Sequence, residues 1–170
     1  IRILRPDMRG SGYSQKITGA ITIEELVGDL KSVIDQLGIT GPIVLAGCAV
    51  AAAVGLRFAI RHPDHVTGYV AMAAAFGVPL ERQAFSLERA DAVELDGMRP
   101  MTLAGHDRSY PLRFRDDPNR VRMIQAIKMA NDPHSFAAIQ RMLVTLNMEA
   151  DLRALRVRSL FLAGAYDTTR

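Results

Sequence analysis

Residues 43–56, Ile43-Val44-Leu45-Ala46-Gly47-Cys48-Ala49-Val50-Ala51-Ala52-Ala53-Val54-Gly55-Leu56, constrain the fold more than any other part of the chain. Their first half is a short apolar run with β-branched Ile43 and Val44, which reads as a buried strand. Their second half is rich in alanine, the best helix former. No polar residue stands between the two halves. Strand and helix must therefore be joined by a very tight turn near Gly47.

The stretch before it supplies a second, independent helix. Thr22 and Glu25 have capping-box spacing, and Ile21 and Leu26 are placed for a hydrophobic staple. Ile23, Leu26, Val27, Leu30, Val33, Ile34 and Leu37 recur at helical spacing, forming one face suited to cover a sheet. Gly38 is the expected left-handed stop, and Pro42 introduces the strand at 43–46. Further upstream, Ile1-Arg2-Ile3-Leu4 is predicted as a strand, prolonged by Arg5 because it precedes Pro6. The Gly-punctuated loop Asp7-Met8-Arg9-Gly10-Ser11-Gly12-Tyr13-Ser14 follows it. Its structural reading outweighs a catalytic one. A phosphate loop would need a Lys-Ser/Thr pair and a helix start, and neither follows here.

Downstream, the helix after Gly47 is predicted to run to about Arg61 and to end at His62-Pro63. A strand at 66–72 comes next, with His62 and His65 in the surface turn before it. From Phe76 to about Arg153 the character changes: Pro79, Pro100, Pro111, Pro118 and Pro133 punctuate mixed charge and helical pieces, of which 121–129 and 135–146 are the clearest. Parallel βα units do not look like this, whereas an inserted helical cap does. A strand at 159–163 then closes on Gly164-Ala165-Tyr166-Asp167. The expected class is α/β, a parallel sheet flanked by helices, with core at 1–75, helical cap at 76–153 and a returning core strand with its loop at 154–170.

Composition narrows the function. One hundred and seventy residues suit one domain with a sizeable core, and a net charge of +3 is too small to argue for nucleic acid. A single Cys excludes an internal disulfide framework and fits a cytoplasmic protein. No apolar run is long enough to span a bilayer, so no membrane partner is expected. The chain begins inside one predicted strand and stops soon after another, and is expected to be an internal piece of a longer protein.

Three phrases resemble the α/β-hydrolases: the strand–turn–helix at 43–56, the D-x-R-G-x-G-x-S loop at 7–14, and R-H-P-D-H-V-x-G-Y-V at 61–70. In that family the turn is a nucleophile elbow, G-x-S-x-G, with tiny residues two before and two after the nucleophile. Gly47 and Ala51 meet the size demand, and Ala49 stands where Ser belongs. Within the family the chain looks like the 3-oxoadipate enol-lactonase branch. Asp91-Ala92-Val93 through Gly97-Met98, Asn131-Asp132-Pro133 and Asp151-Leu152-Arg153-Ala154-Leu155 resemble phrases of that group, shared with esterases and carbon–carbon bond hydrolases.

The resemblance implies acyl transfer without a cofactor or metal, on a small-molecule ester or lactone. Ser, acid and His would act in that chain order. Asp167 is the candidate acid, with a turn-forming Asp as its plainer reading. The Val50 N–H would be one oxyanion donor. The other donor, and the His, would lie outside the chain, because His62, His65, His106 and His134 all precede Asp167. Ala49 admits three readings: an engineered replacement of Ser that traps substrate, natural loss in a small-molecule binding protein, or use of Cys48 as nucleophile instead. The intact surroundings favour the first. The last would shift Val50 into a position that must be tiny. Arg82, Arg89, Arg99, Arg108 and Arg113 could pair with a substrate carboxylate, although solvated surface is the better reading for any one of them. A Rossmann turn is excluded by spacing, since the next glycine after Gly47 is Gly55.

Overall fold

In a computed structural model, residues 1–99, 101, 110 and 112–167 are described. Helix α1 (Ile23–Gln36) forms for the local reasons its sequence suggests. The Thr22 hydroxyl accepts the Glu25 N–H at 3.2 Å, while the Glu25 carboxylate accepts the Thr22 N–H at 2.8 Å. Ile21 and Leu26 are both buried at this end. At the other end Gly38 takes φ +62, and the Gly38 and Ile39 N–H groups return to the carbonyls of Asp35 and Ile34, which is a Schellman stop.

Strand β1 (Ile43–Cys48), strand β2 (Val66–Met72) and strand β3 (Arg158–Leu162) make one parallel sheet in the order β1-β2-β3. Their register places Cys48 beside Met72 and Met72 beside Leu162, so all three strands finish along one edge. Helix α2 (Val50–Arg61) joins β1 to β2 and buries Ala52, Ala53, Val54, Leu56, Phe58 and Ala59 against the sheet and α1. The Tyr69 hydroxyl reaches across from β2 and donates to the Ala52 carbonyl at 2.6 Å, and burial pushes this phenol's pKa upward.

One expected strand is not formed. Residues 1–4 carry no strand pairing, and Ile1, Ile3 and Leu4 are exposed. Among the described residues no strand lies beside them as a ladder partner. Among the described residues β1 pairs only with β2, and Leu4, Pro6 and Met8 line a cavity of about 450 Å³ together with Val44 and Ala46 of β1. An apolar run with β propensity becomes a strand only where a neighbour can take its N–H and C=O groups.

Between β2 and β3 run helices α3 (Leu80–Asp96), α4 (Pro118–Met129), α5 (Pro133–Thr145) and α6 (Glu149–Ala154). Helices α4 and α5 begin a little earlier than the apolar periodicity suggests. Asp117 and Asp132 cap them, each followed by Pro at the first helical position. Helix α3 packs on α5, and Arg141 of α5 donates to Asp91 at 2.7 Å and to Glu94 at 2.6 Å. The Arg141 hydrogen bond, aided by its charge, holds the Glu94 carboxyl below its ordinary range. Ala138, Met142 and Leu143 of α5 also join the main core, in one cluster with buried residues of α2 and β2. An antiparallel bridge between Gly77 and Asn147 closes the point where this helical region leaves and rejoins the sheet.

Ser135 stitches α5 to the loop after Gly12. It is buried, accepts the Ile17 N–H at 2.9 Å and donates to Asp132 at 2.6 Å. In Ser135→Ala the Ile17 N–H would be buried without an acceptor. Urea unfolding should therefore show a loss of about 1–2 kcal/mol, and an unchanged midpoint would mean that water replaces the hydroxyl.

Candidate active site

The turn between β1 and α2 carries the strain that its sequence implies. Ala49 lies at φ 53 and ψ −117, a conformation unusual for any residue with a side chain. Its neighbours hold it there. The Ala49 N–H donates to the Met72 carbonyl at 3.0 Å, and its own carbonyl accepts the N–H groups of Ala52 and Ala75, each at 3.1 Å. Two residues earlier a Cβ on Gly47 would lie 2.4 Å from the carbonyl carbon of Ala51 and 2.6 Å from the Ala52 nitrogen. Backbone cannot retreat as a flexible side chain can. Gly47→Ala is therefore expected to cost about 3 kcal/mol or more, read as a lowered unfolding midpoint. A loss under about 1 kcal/mol would show that α2 can lift away from the strand without penalty.

Val50 follows as the first residue of α2, so its N–H has no acceptor within the helix and remains available beside position 49. Helix α2 has no side-chain cap at this end. Aligned peptide dipoles add a partial positive charge there, which suits an anion. Cys48 is exposed, but it is the last residue of β1 and pairs with Met72 in the ladder. The strained position is Ala49, not Cys48.

Ala73 forms a second strained point on the same edge, at φ 42, with its N–H donating to the Leu162 carbonyl at 2.8 Å. Sequence reasoning missed it. The one available signal was the run Ala73-Ala74-Ala75 directly after a strand, residues small enough for a crowded turn. Asp167 lies in the turn that follows β3, partly buried, and its N–H donates to the Gly164 carbonyl at 3.0 Å. Parallel strands thus bring Ala49, Val50, Ala73 and the Asp167 turn to one end of the sheet.

The histidines are elsewhere. His62 and His65 occupy the turn entering β2, at the opposite edge from Ala49. His62 rests on Phe58 with ring centroids 4.6 Å apart, and burial lowers its pKa. His134 stands in the first turn of α5, 3.6 Å from Glu94, beside a cavity of about 690 Å³ that neither Ala49 nor Asp167 lines. His106 lies outside the described residues.

The loop at 7–14 is built as a clamp. The Asp7 carboxylate accepts the Tyr13 N–H at 3.1 Å, its carbonyl accepts the Ser14 hydroxyl at 2.7 Å, and Arg9 forks onto Asp29 of α1. These bonds hold the loop together and tie it to α1. Of the singled-out arginines, Arg89 donates to Gln140 at 2.8 Å and Arg82 and Arg99 are also engaged, while Arg108 lies outside the described residues. Arg113 lies with its guanidinium carbon 4.4 Å from the Tyr166 ring centroid and 5.0 Å from that of Phe114. Among the described residues no three His, Cys, Asp or Glu side chains gather as a metal site needs, and no helix is long and apolar enough to cross a membrane.

Solved structures share this fold. A thermophilic esterase from Thermogutta terrifontis is 28% identical with TM-score 0.85, the match covering 96% of this chain and 61% of that one. A hydrolase from Pseudomonas aeruginosa is 25% identical with TM-score 0.84, covering 96% and 61% respectively. The enol-lactonase from Burkholderia xenovorans, at 23% identity and TM-score 0.85 over 96% of this chain and 62% of that one, is similar in fold. The chain thus spans about three fifths of the length of these structures. No curated protein matches its sequence. The family model of serine aminopeptidase S33 matches residues 1–169, and the chain belongs to that family of α/β-hydrolases.

Proposed function

We propose that the intact protein carries the scaffold of a cofactor-independent serine hydrolase of carboxylic esters or lactones, with Ala occupying the position of the attacking Ser. The observation that carries this reading is the backbone of Ala49, strained at φ 53 over a glycine that cannot be enlarged. Nothing in an alanine side chain calls for such a conformation. A nucleophile does, because the turn lifts the side chain clear of the sheet and sets it beside a helix N-terminus.

In this reading a Ser at position 49 attacks the carbonyl carbon, and the Val50 N–H donates to the oxyanion that develops. A His from outside these 170 residues takes the Ser proton, with Asp167 fixing its tautomer. The helices between β2 and β3 act as a cap over the strand ends. The Thermogutta esterase and the Burkholderia enol-lactonase, named for ester and lactone chemistry, support the substrate class. A single cysteine suits a reducing compartment, and we place the protein in the cytoplasm.

A second reading has its own observation. Ala49 itself, which offers no attacking oxygen, suits a hydrolase-fold protein that binds a small molecule without chemistry. Fluorophosphonate labelling separates the two. Ala49→Ser in the intact protein should be phosphonylated at residue 49, seen by mass spectrometry, while the Ala49 form stays unlabelled. A folded Ser variant that takes no label overturns the hydrolase reading.

A further inference from the structure

We propose that Ala73 is a positioning residue that fixes the attacking position and the acid turn relative to each other, an inference that rests on the hydrolase reading above. The ladders of the sheet end at Cys48, Met72 and Leu162. Past them, further backbone bonds lace the strand ends together. The Ala49 N–H donates to the Met72 carbonyl at 3.0 Å, and the Ala75 N–H donates to the Ala49 carbonyl at 3.1 Å. The Ala73 N–H donates the other way, to the Leu162 carbonyl at 2.8 Å. Residues 72–75 are thus bonded to position 49 on one side and to the last residue of β3 on the other. Asp167 follows soon after Leu162, in a turn closed by its own N–H on the Gly164 carbonyl. Hydrogen-bonded backbone therefore runs from position 49, through residues 72–75, to the start of the acid turn.

What singles out Ala73 within this segment is its backbone. Its φ of 42 is left-handed, and among the described residues only Ala49 shares a positive φ without being glycine. The two strained positions stand on one edge, joined through Met72. Strain of this kind persists only where the surroundings enforce it, and it gathers at functional sites. Glycine would adopt the same φ freely, so a fold that needed only a turn here would be better served by it. Alanine behaves differently once its bonds hold it in place. Its Cβ confines it to a small left-handed region, whereas glycine has a wide range of conformations around the same point. The far end of the segment is anchored as well, since Ala75 is buried in the main core. Ala73 therefore needs no contact with substrate for this role. Its Cβ acts by restricting the backbone that spaces position 49 from the acid turn.

The test uses the intact protein carrying Ala49→Ser, with and without Ala73→Gly. Glycine keeps the N–H and accepts the left-handed φ without strain, so the melting temperature should hold or rise. For 4-nitrophenyl acetate kcat should nevertheless fall about tenfold, because a small misplacement of catalytic groups is costly. KM should stay within about twofold, since no binding contact is removed. A pH profile of kcat/KM supplies the readout that a purely structural role would not move. A carboxylate held against the catalytic His favours the charged imidazolium, so a loosened acid turn should move the acidic midpoint down by about half a pH unit. An unchanged kcat in Ala73→Gly overturns the inference. So does a fall in kcat with the midpoint unmoved, or one that is accompanied by a lowered melting temperature. A folded Ala49→Ser parent that is inert and takes no fluorophosphonate label is a different result: the hydrolase reading itself has then failed, and this inference with it.

Discussion

Exchanging Ala49 for Ser in the intact protein is expected to raise kcat for simple aryl esters or small lactones by at least about 10⁴-fold, the usual cost of a missing triad nucleophile. The size of the effect follows from how little else needs to change. The strained backbone is already in place at φ 53, held by the Met72 carbonyl on one side and the Ala52 and Ala75 N–H groups on the other. One hydroxyl would be added beside a helix N-terminus whose first N–H has no partner in the helix. No cavity has to be opened and no loop moved. Initial rates on 4-nitrophenyl acetate and on a small lactone measure it. A Ser variant that folds with the same circular dichroism and stays at the background rate would leave the binding protein as the better account.

Asp167→Asn in that restored enzyme should lower kcat by about 10⁴-fold with little change in KM, because Asn holds the imidazole in the wrong tautomer. Asn keeps the size of the side chain and removes its charge. The turn that positions residue 167 depends on its backbone N–H donating to the Gly164 carbonyl at 3.0 Å, and Asn keeps that bond. Asn also suits turns as well as Asp does. A drop in activity with an unchanged melting temperature would therefore report the charge and not a collapsed loop. A fall smaller than about tenfold, with KM unmoved, would return Asp167 to the role of an ordinary turn residue.

What could be read in the sequence was whatever local chemistry decides. Helix α1 announced itself through Thr22, Glu25 and Gly38, each of which makes its bond within a few residues. The turn at Gly47 was equally legible, since size alone dictates what can stand between a strand and a helix that touch. Ile1-Arg2-Ile3-Leu4 misled because pairing is not a local property: the residues suit a strand, but no described strand lies beside them to bond. The early starts of α4 and α5 could have been found, because Asp117-Pro118 and Asp132-Pro133 are cap and first-turn signals in sequence. Helix α3 was harder, with only Ala90 and Val93 buried along Leu80–Asp96 and hence a faint apolar stripe. The contact of Arg113 with Tyr166 joins residues more than fifty apart in sequence, and no local pattern announces it.

The bridge between Gly77 and Asn147 bears on how such a chain diversifies. Where two points of a chain lie side by side, everything between them can be lengthened, shortened or exchanged by recombination without re-threading the rest. The backbone thus offers a splice point at which one set of helices could replace another over the same strands. Packing sets a condition on the exchange. Ala138, Met142 and Leu143 of α5 and Met148 beyond it are sunk in the same apolar mass as α2. An incoming segment would have to bring a helix with small and thioether side chains at those places, or leave a hole in that core. Outer helices such as α4, which buries no residue, carry no such obligation. Variation is therefore expected to concentrate there, with α5 inherited alongside the core it shares with α2.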